Sequence, residues 1–337
     1  MIETDIFSST DDNIEKVSEP CMLDMNCKPI VISCDHGYGN CKSSNIIFPT
    51  GIECVASKPV FPADVLEWNG KLYFIGYGHK EFIVDKTADE DFRLLTMALI
   101  AKELKLRQRT EAVIYLAAGL PITWARDQLE HFRGYLMSPR EYDFILNDEK
   151  YSVRMEDVLL YPQGFAALAD SLDTFTGMNM ICDIGNGTMS TMFINNGTPD
   201  PMRCYTEKLG VHQCTLALKD TVMQHFHMVL DDRIIEDYLF TGETTVTPNI
   251  RSVMESTVRR YVEKLMRSMR EHEYNPDMMK LYIMGGGGCL IRHFADPETA
   301  TNISFGRIQI EPDIHATARG YERLARAQLM ERGIDVE

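Results

Sequence analysis

One short phrase occurs twice, about half the chain apart, and it constrains the fold more than any other feature. Asp35-His36-Gly37-Tyr38-Gly39 follows the apolar run Pro29-Ile30-Val31-Ile32, and Asp183-Ile184-Gly185-Asn186-Gly187 follows Met178-Asn179-Met180-Ile181. Each copy reads as an apolar strand, a glycine turn headed by aspartate, and a second strand. A third glycine run, Gly285 to Gly288, closes the strand-like Leu281-Tyr282-Ile283-Met284 but lacks the aspartate. The pattern calls for two similar halves. Strand-ending carboxylates and bare turns suit a metal and a phosphate chain held between them. Mg²⁺ takes one or two carboxylates with water and phosphate oxygens, and glycine lets backbone N–H groups approach an anion.

The bulk properties narrow the class. A chain of 337 residues is long enough for two domains or one duplicated domain. Its net charge of −16 repels phosphate backbones, so direct nucleic-acid binding is not expected. No apolar run approaches the roughly 20 residues of a membrane span, and the N-terminus lacks a basic-then-apolar leader. A cytoplasmic protein without a membrane partner is predicted. Nine cysteines without a C-x-x-C pair read as reduced, mostly buried thiols. His225 and His227, two apart on a predicted helix, face different ways, and His212 and Cys214 have no second metal pair nearby.

Residues 1–27 read as a flexible acidic tail. Beyond it the expected order is a strand into the first turn, a return strand from Cys41 to Phe48, and a strand from Lys71 to Gly76. A helix from Phe92 to Leu106, a buried strand from Ala112 to Ala117 and a helix from Thr123 to Tyr135, capped by Thr123, come next. A hairpin over Glu141–Val153 and a short helix from Phe165 to Leu172 close the first half. The second half opens at Met178, turns at Asn195-Asn196-Gly197, and continues with helices over His212–Leu230 and Pro248–Glu273. It ends with the strand Lys280–Met284, a helix opened by the glycine run, and a helix from Ala316 to Met330. Mixed sheets covered by helices in two similar halves define an α/β architecture.

Lys42 lies seven residues after Asp35 on the return strand, so a hairpin sets its ammonium near the same phosphates. No G-x-x-x-x-G-K-[ST] string occurs, which excludes a Walker P-loop. The run from Gly285 to Gly288 is too compact and too near the C-terminus for a Rossmann fingerprint.

These residues resemble the superfamily of actin, the heat-shock chaperone ATPases and the sugar kinases. Asp35-x-Gly37-x-x-Asn40-x-Lys42 looks like its first phosphate loop, Asp183-x-Gly185-x-Gly187-Thr188 like its second, and Met284 with Gly285, Gly286, Gly287 and Gly288 like its adenosine loop. Pro162-Gln163-Gly164-Phe165-Ala166-Ala167 and Ala316-Thr317-Ala318-Arg319-Gly320-Tyr321 look like its two connecting helices, all in the superfamily's order. Within it, Asn40-x-Lys42, Gly119-Leu120-Pro121 and the Asn-Gly ending of the second hairpin are similar to the bacterial actin-like ParM/StbA proteins. The resemblance implies an actin-like ATPase fold, two similar domains flanking a nucleotide cleft. It divides the chain into residues 28–175, residues 176–315 and a C-terminal helix, 316–337, returning to the first domain. It implies ATP or GTP with Mg²⁺, organised through water by Asp35 and Asp183. Lys42 would meet the β- and γ-phosphates. Gly37, Tyr38, Gly39 and Asn40 would clamp the phosphate chain against Gly185, Asn186, Gly187 and Thr188. Gln163 would orient the attacking water, so the catalytic set is Gln163, Asp183 and Asp35. The best-known segregation ParM has Glu at the position of Gln163; glutamine cannot act as a base, so slow hydrolysis is expected.

The function implied is a head-to-tail filament, assembled with ATP and loosened by hydrolysis, that moves plasmid DNA through a basic DNA-binding adaptor. A sugar or small-molecule kinase, a chaperone or reactivase ATPase, and a nucleotide-gated scaffold stand as alternatives. The first needs an aspartate base in a substrate pocket, the second an added substrate domain, and the third binding without turnover.

Overall fold

The computed structural model describes residues 28–59, 63–78 and 86–337. The expected tail, residues 1–27, lies outside them. The chain forms two sheets. The first holds nine strands: β1 (Ile30–His36), β2 (Asn40–Lys42), β3 (Ile47–Pro49), β4 (Ile52–Val55), β5 (Asp64–Trp68), β6 (Lys71–Ile75), β7 (Glu111–Leu120), β8 (Glu141–Leu146) and β9 (Glu149–Pro162), ordered β3-β2-β1-β7-β9-β8-β5-β6-β4. The second holds β10 (Met178–Ile184), β11 (Met189–Asn195), β12 (Thr198–Glu207), β13 (Lys280–Met284) and β14 (Ile308–Ile310), ordered β12-β11-β10-β13-β14. The helices are α1 (Asp91–Leu106), α2 (Ile122–Met137), α3 (Val211–Phe226), α4 (Asp232–Thr241), α5 (Pro248–Glu271), α6 (Gly288–Phe294), α7 (Pro297–Ser304) and α8 (Ala316–Glu331), with a 3₁₀ segment over Phe165–Thr174. The fold is α/β, with two mixed sheets covered by helices.

The two repeated phrases occupy matching places. β1 pairs antiparallel with β2 and parallel with β7; β10 pairs antiparallel with β11 and parallel with β13. A strand flanked on both sides and covered on both faces must be apolar throughout, which explains the unbroken runs in β1 and β7. Side chains alternate across the pleat. Ile30, Ile32 and Cys34 join the core built on Leu94, Leu95, Ala98 and Leu99 of α1, while Val31 packs with Tyr321, Ala325 and Leu329 of α8. In β10, Met180, Cys182 and Ile184 face Leu218 of α3 and Val258 and Leu265 of α5, and Ile181 faces Ala167 and Ala316.

The two sheets meet where the 3₁₀ segment and α8 cross. Ala166 packs on the first sheet's cluster and the adjacent Ala167 on the second's; α8 does the same with Tyr321 and Ala316. Gly320 sits at the crossing. A Cβ there would lie 2.0 Å from the Ala166 carbonyl oxygen, so only glycine fits.

Several local expectations change. The return strand breaks into β2 and β3, because the Ser43 hydroxyl accepts from the Asn45 and Ile46 amides and donates to buried Glu103, turning the chain. The helix expected over His212–Leu230 stops at Phe226, and His227 closes it in the left-handed region at φ 54°. α2 starts at Ile122 after Pro121, which places Thr123 inside its first turn rather than at the cap. The segment from Phe165 is 3₁₀ and runs to Thr174. The second strand of the Glu141–Val153 hairpin continues to Pro162, because it also pairs in parallel with β7. Asn196 and Gly197 take left-handed angles, the signature of the tight hairpin turn the Asn-Gly pair predicts.

Candidate functional site

The hairpin β1–β2 sets Asp35 directly across from Lys42. The Lys42 ammonium is 3.7 Å from an Asp35 carboxylate oxygen, and both side chains are mostly buried. Behind the turn, His36 is fully buried. Its Nε2 donates to the Thr96 hydroxyl at 2.7 Å, which itself donates to the Phe92 carbonyl. Burial, and then the Lys86 charge, push this imidazole well below its ordinary range, so it is neutral.

The hairpin β10–β11 carries Asp183 opposite Ser190. The Gly185 amide donates to the Thr188 carbonyl at 2.9 Å, closing the second glycine turn. The start of α3 seals its back: the Val211 amide donates to Gly185 at 3.0 Å and the His212 amide to Asn186 at 2.9 Å. The two glycine turns touch. A Cβ on Gly39 would lie 2.9 Å from the Cβ of Asn186, too near for any real side chain.

The third glycine run leaves β13 beside β10. Gly285 has φ 79°, and a Cβ there would fall 2.7 Å from an Asp183 carboxylate oxygen, so its bareness lets the acid face the cleft.

Between these turns lies a cavity of about 460 Å³, within the size range of small-molecule sites. Asp35, Gly37, Tyr38, Gly39, Asn40 and Lys42 line one side. Asp183, Gly185, Asn186, Gly187 and Thr188 line the other, and Gly285, Gly286 and Gln163 also reach it. Gly287 and Gly288 do not reach it. They serve packing: a Cβ on Gly287 would strike Ile184 and one on Gly288 would strike Ile310.

The charge pattern in the cleft is unbalanced. Burial raises the Asp183 carboxyl to about 6; the negative Asp35 adds to the rise and Lys42 opposes it. Asp35 and Asp183 thus both face Lys42. The Gln163 amide nitrogen donates to Asp35 at 3.3 Å. An amide anchored through its nitrogen keeps a carbonyl oxygen that accepts a hydrogen bond but removes no proton. The Tyr321 hydroxyl is buried near Asp35 and Asp183 without a well-formed hydrogen bond.

Sequence reasoning missed one wall. Glu236, Asp237, Leu239 and Phe240 of α4 line the cavity, as do Ile314 and Thr317. Phe240 is an apolar side chain 56% exposed on the wall of this cavity. Its hydrophobic exposure is a clue that appears only once the helix has been placed. Among the described residues no group of three or more His, Cys, Asp or Glu side chains is arranged to hold a metal. Among them, too, no helix is long and apolar enough to cross a membrane.

A model of the N-terminal domain of actin-like proteins matches residues 33–165. No curated protein sequence matches the chain. Among solved structures, an archaeal actin homologue in complex with ADP is similar at 18% identity, with 88% of this chain and 99% of that chain covered and a TM-score of 0.67. The Alp12 filament structure is similar at 16% identity, covering 90% and 99%, with a TM-score of 0.63. ParM of Bacillus thuringiensis with AMPPNP is similar at 12% identity, covering 91% and 100%, with a TM-score of 0.64. The fold is actin-like.

Proposed function

From a chain with an actin-like fold and a nucleotide-sized cleft, we propose a filament-forming ATPase that assembles with bound ATP and loosens on hydrolysis. The observation carrying this reading is the convergence of Asp35, Lys42, Gln163 and Asp183 on one cavity between two glycine turns. The phosphate chain lies between those turns, and the nucleoside extends past Gly285 and Gly286 toward Phe240.

The carboxylate pair fits a divalent cation. Burial and the negative Asp35 raise the Asp183 carboxyl and Lys42 opposes the rise, so the facing carboxylates carry a repulsion that a cation relieves. Asp35 and Asp183 would hold Mg²⁺ through water, and bound Mg²⁺ would neutralise charge on the phosphates. Lys42 balances the terminal phosphates. Gln163, anchored on Asp35, orients water for in-line attack, while positioning and charge stabilisation supply most of the rate.

Structures of similar fold include the Alp12 filament, an archaeal actin homologue with ADP and ParM of Bacillus thuringiensis with AMPPNP, which supports the reading for this fold. In this proposal residues 28–175 and 176–315 are the closing halves, and residues 316–337 return to the first. A heterologous, non-closing contact then propagates a polymer. With a net charge of −16, the cytoplasmic filament engages plasmid DNA through a basic adaptor rather than directly.

Right-angle light scattering is expected to rise with MgATP above a critical concentration and to stay flat with ADP. ATP binding without any rise would favour a small-molecule kinase or a nucleotide-gated scaffold instead. Gln163→Ala is expected to lower kcat for phosphate release about a hundredfold while changing KM little, because it removes water orientation rather than nucleotide contacts. A changed KM with intact kcat would move Gln163 out of that role.

A further inference from the structure

A lysine buried beneath the first glycine turn has no part in the cleft described so far. Lys86 is 1% exposed and does not line the cavity. Its ammonium donates to the His36 carbonyl at 2.7 Å and lies 5.2 Å from the Phe92 ring, 5.7 Å from Tyr38 and 6.0 Å from Phe132. Burying an ammonium is costly, and one carbonyl with three aromatic faces compensates it only in part. Burial pulls Lys86 down to about 8, and the negative Asp35 opposes the fall, so the group still carries charge at neutral pH.

Thr50 treats the rest of the turn alike. It is fully buried and also stands outside the cavity wall. Its hydroxyl donates to the Tyr38 carbonyl at 2.7 Å, and its amide donates to the Gly39 carbonyl at 3.1 Å. Three of the turn's carbonyls, at residues 36, 38 and 39, therefore run to groups behind it. A carbonyl oxygen facing a phosphate chain would repel it.

Resting on the ATPase reading above, we propose that Lys86 is a positioning residue for the first glycine turn. With Thr50 it draws the turn's carbonyl dipoles away from the β- and γ-phosphates, and it adds a fixed positive charge under them. The cost of burying the ammonium falls when the anion arrives, so the energy spent in the empty protein returns as affinity for the phosphate chain. Lys86 touches no substrate and acts only through the turn.

The test compares ATP with AMP, which lacks the distal phosphates, by calorimetry on the full chain. Lys86→Met, similar in size and neutral, is expected to weaken ATP binding at least about tenfold while AMP stays within about twofold. Thr50→Val, which keeps shape and loses the hydroxyl, is expected to weaken ATP severalfold with the same AMP control, and it carries the test if Lys86→Met does not fold. Equal losses for ATP and AMP, or unchanged ATP affinity, would overturn the role. Wild type binding neither nucleotide is a different failure, one that removes the ATPase reading itself.

Discussion

Asp183→Asn is expected to reduce ATP turnover at least about a hundredfold in a phosphate-release assay, the scale lost when a preorganised electrostatic group leaves an active site. The same change should stabilise the empty protein at neutral pH. Asp183 titrates near 6 in the fold against 3.8 in an open chain, so the native state holds a proton that the unfolded state has released between those values. Stability from this group is complete below pH 3.8 and is lost as pH rises through about 6. At pH 7.5 the wild-type protein therefore bears a buried, repelled carboxylate, and asparagine relieves it. The expected gain is about 2 kcal/mol, reduced from the full shift by water in the cleft. It should shrink toward zero as pH falls to about 4. Denaturant midpoints for the two proteins across this range provide the check. An unchanged turnover rate would remove Asp183 from the site. A stability gap that does not vary with pH would show that its carboxyl is not strained.

Gly320→Val is expected to cost about 3 kcal/mol or more and to abolish ATP-dependent scattering. The first added atom would meet the Ala166 carbonyl oxygen at 2.0 Å and its carbon at 2.3 Å, both backbone and neither able to rotate away. Relief requires α8 to lift from the 3₁₀ segment, which uncovers Tyr321, Ala325 and Leu329 where they pack under Val31 and Tyr115. Both sheets are joined through this crossing, so the change reaches the cleft as well as the core. Urea unfolding measures the first effect, and light scattering the second. A Gly320→Val protein as stable as wild type would mean that the helices cross elsewhere.

The parts of the fold legible in the chain are those with local causes. An apolar strand ending in aspartate and glycine has few structures open to it, and two copies specified a matched pair of hairpins. Asn195-Asn196-Gly197 announced its own turn, and the leucines and alanines of α1 their helix. What stayed hidden depends on partners distant in sequence. The break at Ser43 follows from a hydroxyl meeting Glu103 sixty residues away. The α4 wall needs helix packing to bring Phe240 to the cavity. Lys86 reads as a surface residue because lysine usually is one; only the ring cage shows otherwise. Gly287 and Gly288 were visible as glycines, but Ile184 and Ile310 give their bareness its packing role.

The contact between Gly39 and Asn186 makes side-chain volume at one position a gauge of the whole molecule's posture. Gly39 sits in the turn between β1 and β2 and Asn186 in the turn between β10 and β11, so the space between them sets how closely the two hairpins approach. Each methyl group added at position 39 would push the two glycine turns apart without altering Asp35, Lys42 or Asp183. A graded series at this position would thereby read out, through nucleotide affinity, how near the two turns must stand to grip one ligand.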